Sequence, residues 1–314
     1  MIERPDVDAL MAGELGQFLQ AQVAVREEAR ATTMKRYGIA AVIGLPLAAL
    51  IWIIIPGQFA MFLTFAAGAG AIWWCQAPSM AAKKATKSGI NAAIAGALGL
   101  SYAHDCGPSM GFERAKRHKM LPNYNRSNFE DLWSGDIGGL PFSLHEAHLE
   151  EKRGSGKNSH WVTVFRGPVI TIGCARDFYG TTLLERSGKH KKFLFFGESE
   201  ELKVDGQVLA KADMVHPDFE DTFTLYTTDQ TEARYLVHPA YIEKLIALES
   251  AFRGQGITTL FKDRELTVLL KTENMFESGS LDHNQDRALV AMCVTQFMAM
   301  ADLCGQLNEG RHTS

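Results

Sequence analysis

The sequence predicts an α+β protein: a two-helix transmembrane hairpin, then a cytoplasmic domain with an antiparallel β-sheet (a roll or partly open barrel) and packed C-terminal helices. Three observations predict it. Two uncharged apolar runs, Tyr37–Ile55 and Phe59–Cys75, are separated only by Pro56-Gly57-Gln58. From about Phe129 apolar and polar residues alternate, as at Leu140, Phe142 and Leu144, which is the period of a half-buried strand. From Asp282 to Leu307 the period returns to three and four, with Leu289, Cys293, Phe297, Met300 and Leu303-Cys304 on one side.

Before the hairpin, Val7, Leu10, Met11, Leu15, Phe18, Leu19 and Val23 make one apolar helical stripe within Asp6 to Thr33. Asp6 or Asp8 can cap its start. Arg26, Glu27, Glu28 and Arg30 are expected in a solvated final section. The stripe covers too few heptads for a coiled coil, so the helix is expected to pack on the protein itself.

Each apolar run can just cross roughly 30 Å of hydrocarbon at about 1.5 Å per residue. Pro56 removes a backbone donor and Gly57 tolerates positive φ, so the chain turns there. Lys35 and Arg36 precede the first run and Lys83, Lys84 and Lys87 follow the second. The bias of Lys and Arg toward the untranslocated side then places both termini and the soluble domain in the cytoplasm. Trp52 and Trp73-Trp74 sit where interfacial anchors are found. The chain divides into an N-terminal amphipathic helix (1–36), the hairpin (37–76), a helical connector with a basic segment (77–127) and the α+β domain (128–310).

Within the connector, Pro78 to Leu100 reads as a helix leaving the bilayer. The stretch after it, Gly111 to Lys119, is the most basic in the protein, with Arg114, Lys116, Arg117 and Lys119. Such a cluster binds anionic lipid head groups when it lies near the membrane, and is a solvated helix face otherwise. In the domain, Trp161–Phe165 and Val169–Ile172 read as strands around an Arg166-Gly167-Pro168 turn or bulge. Further strands are expected at Thr181–Leu184, Lys192–Phe196, Glu201–Val204, Thr222–Thr227, Thr258–Phe261 and Leu266–Leu270. Asp205-Gly206 is a favoured two-residue hairpin turn. Asp229 with Glu232 forms a capping box, and Pro239 restarts a helix, so Thr231–Phe252 reads as a broken helix pair with Leu245, Leu248 and Phe252 inside.

A net charge of −4 with 22% charged residues offers no general attraction to nucleic acid. Five scattered cysteines without a CxxC pair argue against a disulfide framework or a thiolate zinc site, and no cofactor signature is present. Arg153 to Asn158 looks like a phosphate loop, but lacks the first glycine and the Ser or Thr after the lysine. His145 and His148, three apart on a strand, face opposite ways, so they do not form a metal pair. Glu146 and His148 share a face. His104-Asp105-Cys106 is expected in a loop, and Cys174 as a small core residue. Arg234, among apolar neighbours, would be a structural ion pair or a ligand anchor.

The segment Phe219 to Tyr241, with Phe142 to Glu150, Val164-Phe-Arg-Gly167 and the preceding hairpin, resembles an uncharacterised bacterial family, domain of unknown function 3137. Asp229–Tyr241 is its most specific part. The resemblance implies a membrane-anchored cytoplasmic domain and transfers no catalytic residue. Function is therefore expected to be non-enzymatic: a membrane-anchored binding or scaffold module. Its partners would be the bilayer, anionic lipid head groups, a membrane protein or its own copies. The alternative is a membrane-tethered hydrolase, which predicts a pocket gathering residues such as His148, Arg234 or His216. A pore would need several copies and intramembrane charge, which is absent from both runs.

Overall fold

The structure is a computed structural model describing residues 4–188, 199–213, 217–273 and 279–309. The expected strand Lys192–Phe196, His216 and the tail after Glu309 lie outside the described residues. Two compact units form, one from Ile94–Phe276 with Met292–Ser314, the other from Asp6–Ala93 with Glu277–Ala291.

In the second unit, α1 (Val7–Ala12) is capped by Asp6, whose carboxylate accepts the Asp8 N–H at 3.0 Å. Helix α2 (Glu14–Ile54) follows without a break at residue 36, and α3 (Gly57–Ala97) begins beyond Pro56. Each has 41 residues, or about 60 Å, twice the thickness of a bilayer core. They run antiparallel well beyond the apolar runs. Arg36 donates to the Trp74 carbonyl at 2.7 Å and the Thr33 and Ser79 hydroxyls meet at 2.7 Å. Further along, Phe18 packs flat against Gly89, where a Cβ would come within 2.2 Å of the ring. Around Pro56 the helices expose Val42, Ile43, Leu45, Ile53, Phe59, Phe62, Phe65 and Trp73. Water penalises such a surface and hydrocarbon accepts it, since a helix bonds most of its backbone groups internally. Both helices are long and apolar enough to cross a membrane, and their most apolar stretches are 0% and 11% buried.

One residue corrects the expectation of a solvated section after Val23. Arg26 is 1% exposed, because it continues the buried stripe of Leu15, Leu19 and Ala29. Its guanidinium donates to both carboxylate oxygens of Asp286, each at 2.7 Å, and to the Leu19 carbonyl at 3.1 Å. Glu27, Glu28 and Arg30 are exposed as expected.

The first unit is built on β1 (Ser101–Asp105), α4 (Met110–Arg117), β2 (Arg126–Ile137), β3 (Leu140–Arg153), β4 (His160–Gly173), β5 (Thr182–Arg186), β6 (Glu201–Val204) and β7 (Gln207–Ala212). It continues with α5 (Pro217–Glu220), β8 (Phe223–Thr227), α6 (Gln230–Leu236), α7 (Pro239–Ala251), β9 (Gly256–Lys262), β10 (Glu265–Lys271) and, from Met292 on, α8 (Asp286–Glu309), whose first turns belong to the other unit. The strands form one open antiparallel sheet in the order β1-β2-β3-β4-β10-β9-β5-β8-β7-β6. Both faces are covered. On one, Ala147, Leu149, Phe165, Val169, Leu183, Leu209, Tyr226, Leu260 and Leu269 pack with Phe112 and Ala115 of α4. On the other, Phe297 of α8 packs edge-on against Phe142 and tilted against Trp133, and Tyr241 of α7 packs tilted against Phe261. Although α8 has the length and composition of a span, half of its apolar stretch is buried, as suits a core helix.

Two local readings are corrected. His104 and Asp105 belong to β1, paired with β2, rather than to a loop. Arg166-Gly167-Pro168 is neither turn nor bulge, because β4 runs through it paired with His148, Ala147 and Glu146. The irregularity lies earlier, between Thr163 and Phe165, where Val164 is the extra residue. Gly167 is needed for close approach: with φ +143°, a Cβ there would lie 2.0 Å from the Leu270 carbonyl oxygen of the neighbouring strand. Gly167→Ala is therefore expected to destabilise the sheet by at least about 2 kcal/mol, read as a lowered thermal midpoint of the detergent-solubilised chain. An unchanged midpoint would show that the strands part there at no cost.

The capping box is half made. Asp229 accepts the Glu232 N–H at 3.0 Å. Glu232 does not return to the Asp229 N–H, which donates to Thr227 Oγ1; its carboxylate instead accepts the N–H groups of Tyr179 and Gly180 at 3.0 and 2.8 Å. The helix start thereby pins the strand entering β5.

Candidate functional site

A cavity of about 720 Å³ opens on the α4 face of the sheet, within the roughly 300–1,000 Å³ range of small-molecule sites. Three local devices shape it. The Val164 bulge brings Val164 as well as Phe165 to the cavity, since a bulge re-aims side chains. Leu183 and Leu269 complete the floor.

Helix α4 ends in a Schellman motif: Met120 N–H donates to the Ala115 carbonyl at 3.0 Å, and Lys119 N–H to Lys116 at 3.1 Å. This turn sends Met120, Leu121 and Pro122 along one wall. The opposite wall is Leu202 and Val204 of β6. Its hairpin turns at Asp205-Gly206 with φ of +49° and +77°, the geometry expected of that dipeptide.

Charge around this apolar interior is unevenly arranged. Lys119 and Lys271 line the cavity and are exposed, so they stand at its mouth. Lys203 is exposed too, but its strand neighbours Leu202 and Val204 point inward, so its side chain points away. The Arg186 guanidinium is bound to Glu249 and lies 4.5 Å over the Phe223 ring. Glu185 is 2% exposed in the wall. Burial pushes the pKa of His118, 3% exposed, below its usual value. Its Nδ1 is 3.5 Å from an Asp205 oxygen.

The basic stretch does not form one patch. Arg114 is ion-paired with Glu265, Lys116 lies 5.5 Å over the Tyr124 ring, Arg117 is exposed, and Lys119 joins the cavity mouth. His148 meets Thr163 Oγ1 at 2.9 Å on the face opposite His145. Its neighbour on that face, Glu146, accepts from Arg166 at 2.8 Å. Arg234 is exposed in the last turn of α6, not set among core residues. Apolar neighbours in sequence misled there, because Phe223 and Leu225 belong to a strand and Arg234 to the outer side of a helix. Neither His148 nor Arg234 lines the cavity.

Sequence reasoning missed His145 as a buried group. It is fully buried beside the Phe112 and Phe129 rings, with centroids at 6.1 and 5.7 Å, and neither ring nitrogen has a hydrogen-bond partner among the described residues. Burial lowers its pKa from 6.5 to about 4.

His104, Glu130 and Asp131 present ligand atoms within 4.8 Å of one another. These donors are already engaged: the buried Asp131 carboxylate accepts from Tyr102 OH at 2.6 Å and has His104 Nδ1 at 3.0 Å. The arrangement gives two partners to one oxygen of a buried acid at the β2 irregularity, where Asp131 has φ +58°. Nearby Cys106 is raised to about 11 by burial and by Asp131. Cys174 is raised to about 11 and Cys304 to about 12 by burial. All three are protonated at neutral pH, which suits packing rather than nucleophilic attack.

Residues 163–309 match the family described as "Protein of unknown function (DUF3137)". The match contains the Asp229–Tyr241 segment and Val164–Gly167; Phe142–Glu150 and the hairpin fall outside it. No curated protein matches the chain. Among solved structures, the crystal structure of the mycobacterial trehalose monomycolate transport factor A, TtfA, is similar with a TM-score of 0.35 and 12% identity. It covers 69% of this chain and 93% of that one, a likeness too remote to transfer a function.

Proposed function

We propose that this chain, which carries a domain of the DUF3137 family of unknown function at residues 163–309, is a membrane-anchored, non-catalytic binding module whose sheet domain holds an apolar ligand. The carrying observation is the cavity of about 720 Å³ floored by Val164, Phe165, Leu183 and Leu269. Its apolar walls face an opening to water, and an apolar ligand would remove that surface from water. The proposed setting is the cytoplasmic face of a bacterial inner membrane, supported by the Lys and Arg residues flanking the apolar runs.

The test is purification of the tagged full-length protein into a non-ionic amphipol, then solvent extraction and mass spectrometry. An apolar molecule is expected at near-stoichiometric amount. Filling the cavity with Leu183→Trp or, independently, Val164→Phe should reduce it at least about tenfold, the loss of about 1.4 kcal/mol of binding. Equal recovery from wild type and both folded variants would rule the reading out.

A further inference from the structure

We infer that the occupant is a long-chain amphiphile with an anionic head group, its chain in the cavity and its charge held at the mouth by Lys119 and Lys271. The inference rests on the cavity being a ligand site and adds the ligand's chemical class.

Charge placement carries it. Of the cations near this face, Arg186 is bound to Glu249, Arg114 to Glu265 and Lys262 to Asp205, while Lys203 points away. Lys119 and Lys271 line the mouth, are exposed, and form no ion pair with a described residue. The site is thus positive where it opens and apolar within, at Val164, Phe165, Leu183, Leu202 and Leu269. A head-inward anion would be stripped of water in that apolar interior, and a head-outward anion meets two lysines. The occupant therefore enters chain first.

Lys119 occupies the left-handed position of the Schellman motif, φ +57°, which glycine takes without steric cost. Arg253 takes the same position at the end of α7, φ +50°, so the conformation belongs to the helix end, and what the motif contributes to the site is the placing of the Lys119 ammonium at the cavity mouth.

The experiment uses the full chain in non-ionic amphipol with two dyes that differ only in charge, cis-parinaric acid and its methyl ester. Affinities come from fluorescence titration at low salt. The acid is expected to bind at least tenfold tighter than the ester, with the preference shrinking as salt rises. The double variant Lys119→Gln and Lys271→Gln should erase the preference by lowering acid affinity to that of the ester. Lys119→Gly should raise the thermal midpoint yet weaken acid binding. Dodecyl phosphate should displace the acid and inorganic phosphate should not, which distinguishes a lipid from a free anion. Equal binding of acid and ester, or a preference surviving the double variant, would overturn the inference while leaving the cavity reading intact. Failure of both dyes, with nothing extracted from the purified protein, would overturn the reading beneath it.

Discussion

Replacing Arg26 with alanine is expected to cost about 3–5 kcal/mol, because it strands the Asp286 carboxylate in the interior of the hairpin unit. The pair is bidentate, at 2.7 Å on both arms, with side-chain exposures of 1% and 7%. Most of its weight is in that geometry. Arg26→Lys keeps the charge but loses the fork and one bond, so it should also be destabilising, by about half as much. Replacing both partners together, Arg26→Leu with Asp286→Leu, should recover most of the loss, since two apolar groups leave no buried charge. The readout is hydrogen exchange of α2 residues 19–30 alongside the thermal midpoint of the full chain in detergent. Unchanged protection in Arg26→Ala would show that the pair is open to water and structurally idle.

Lowering the pH from 6.5 to 4 should remove about 3 kcal/mol through His145 alone, from a pKa difference of about 2.5 at about 1.4 kcal/mol per unit. Above pH 6.5 the imidazole is neutral in both folded and unfolded chains, so it contributes no pH dependence. Below 6.5 the unfolded chain takes up a proton that the folded chain refuses until about pH 4, and stability falls across that window. Carboxylates titrate there too, so the decisive quantity is the difference from His145→Phe. That ring fits between Phe112 and Phe129 and leaves no unbonded nitrogen, so it should flatten the loss and add about 1 kcal/mol at neutral pH. Parallel pH profiles for wild type and variant would show that His145 takes its proton at an ordinary pKa.

What was legible follows from interactions short in sequence. The hairpin was readable because hydropathy and a Pro-Gly turn act within a few residues, and the structure ends α2 at Ile54 and restarts at Gly57. The Asp205-Gly206 hairpin, the Asp229 cap and the Pro239 helix start were readable for the same reason. Arg166-Gly167-Pro168 was misread because a Gly-Pro pair looks like a break from within its own strand. Only β3 and β10 on either side show why the strand continues, and why its residue 167 has no side chain.

The sequence by itself determined the membrane hairpin, the period and most members of the sheet, and the two-part helix before β9, since each depends on side-chain spacing along one segment. Tertiary structure alone decided that Arg26 is buried while Arg234 is exposed, that His145 is buried with no hydrogen-bond partner among the described residues, and that Lys119 leaves a basic run to stand at a cavity mouth. The reason is physical: burial and charge pairing depend on what another segment brings. The cavity is assembled from the end of α4, the bulge of β4, and strands β5, β6 and β10, none of which contains a concave site alone.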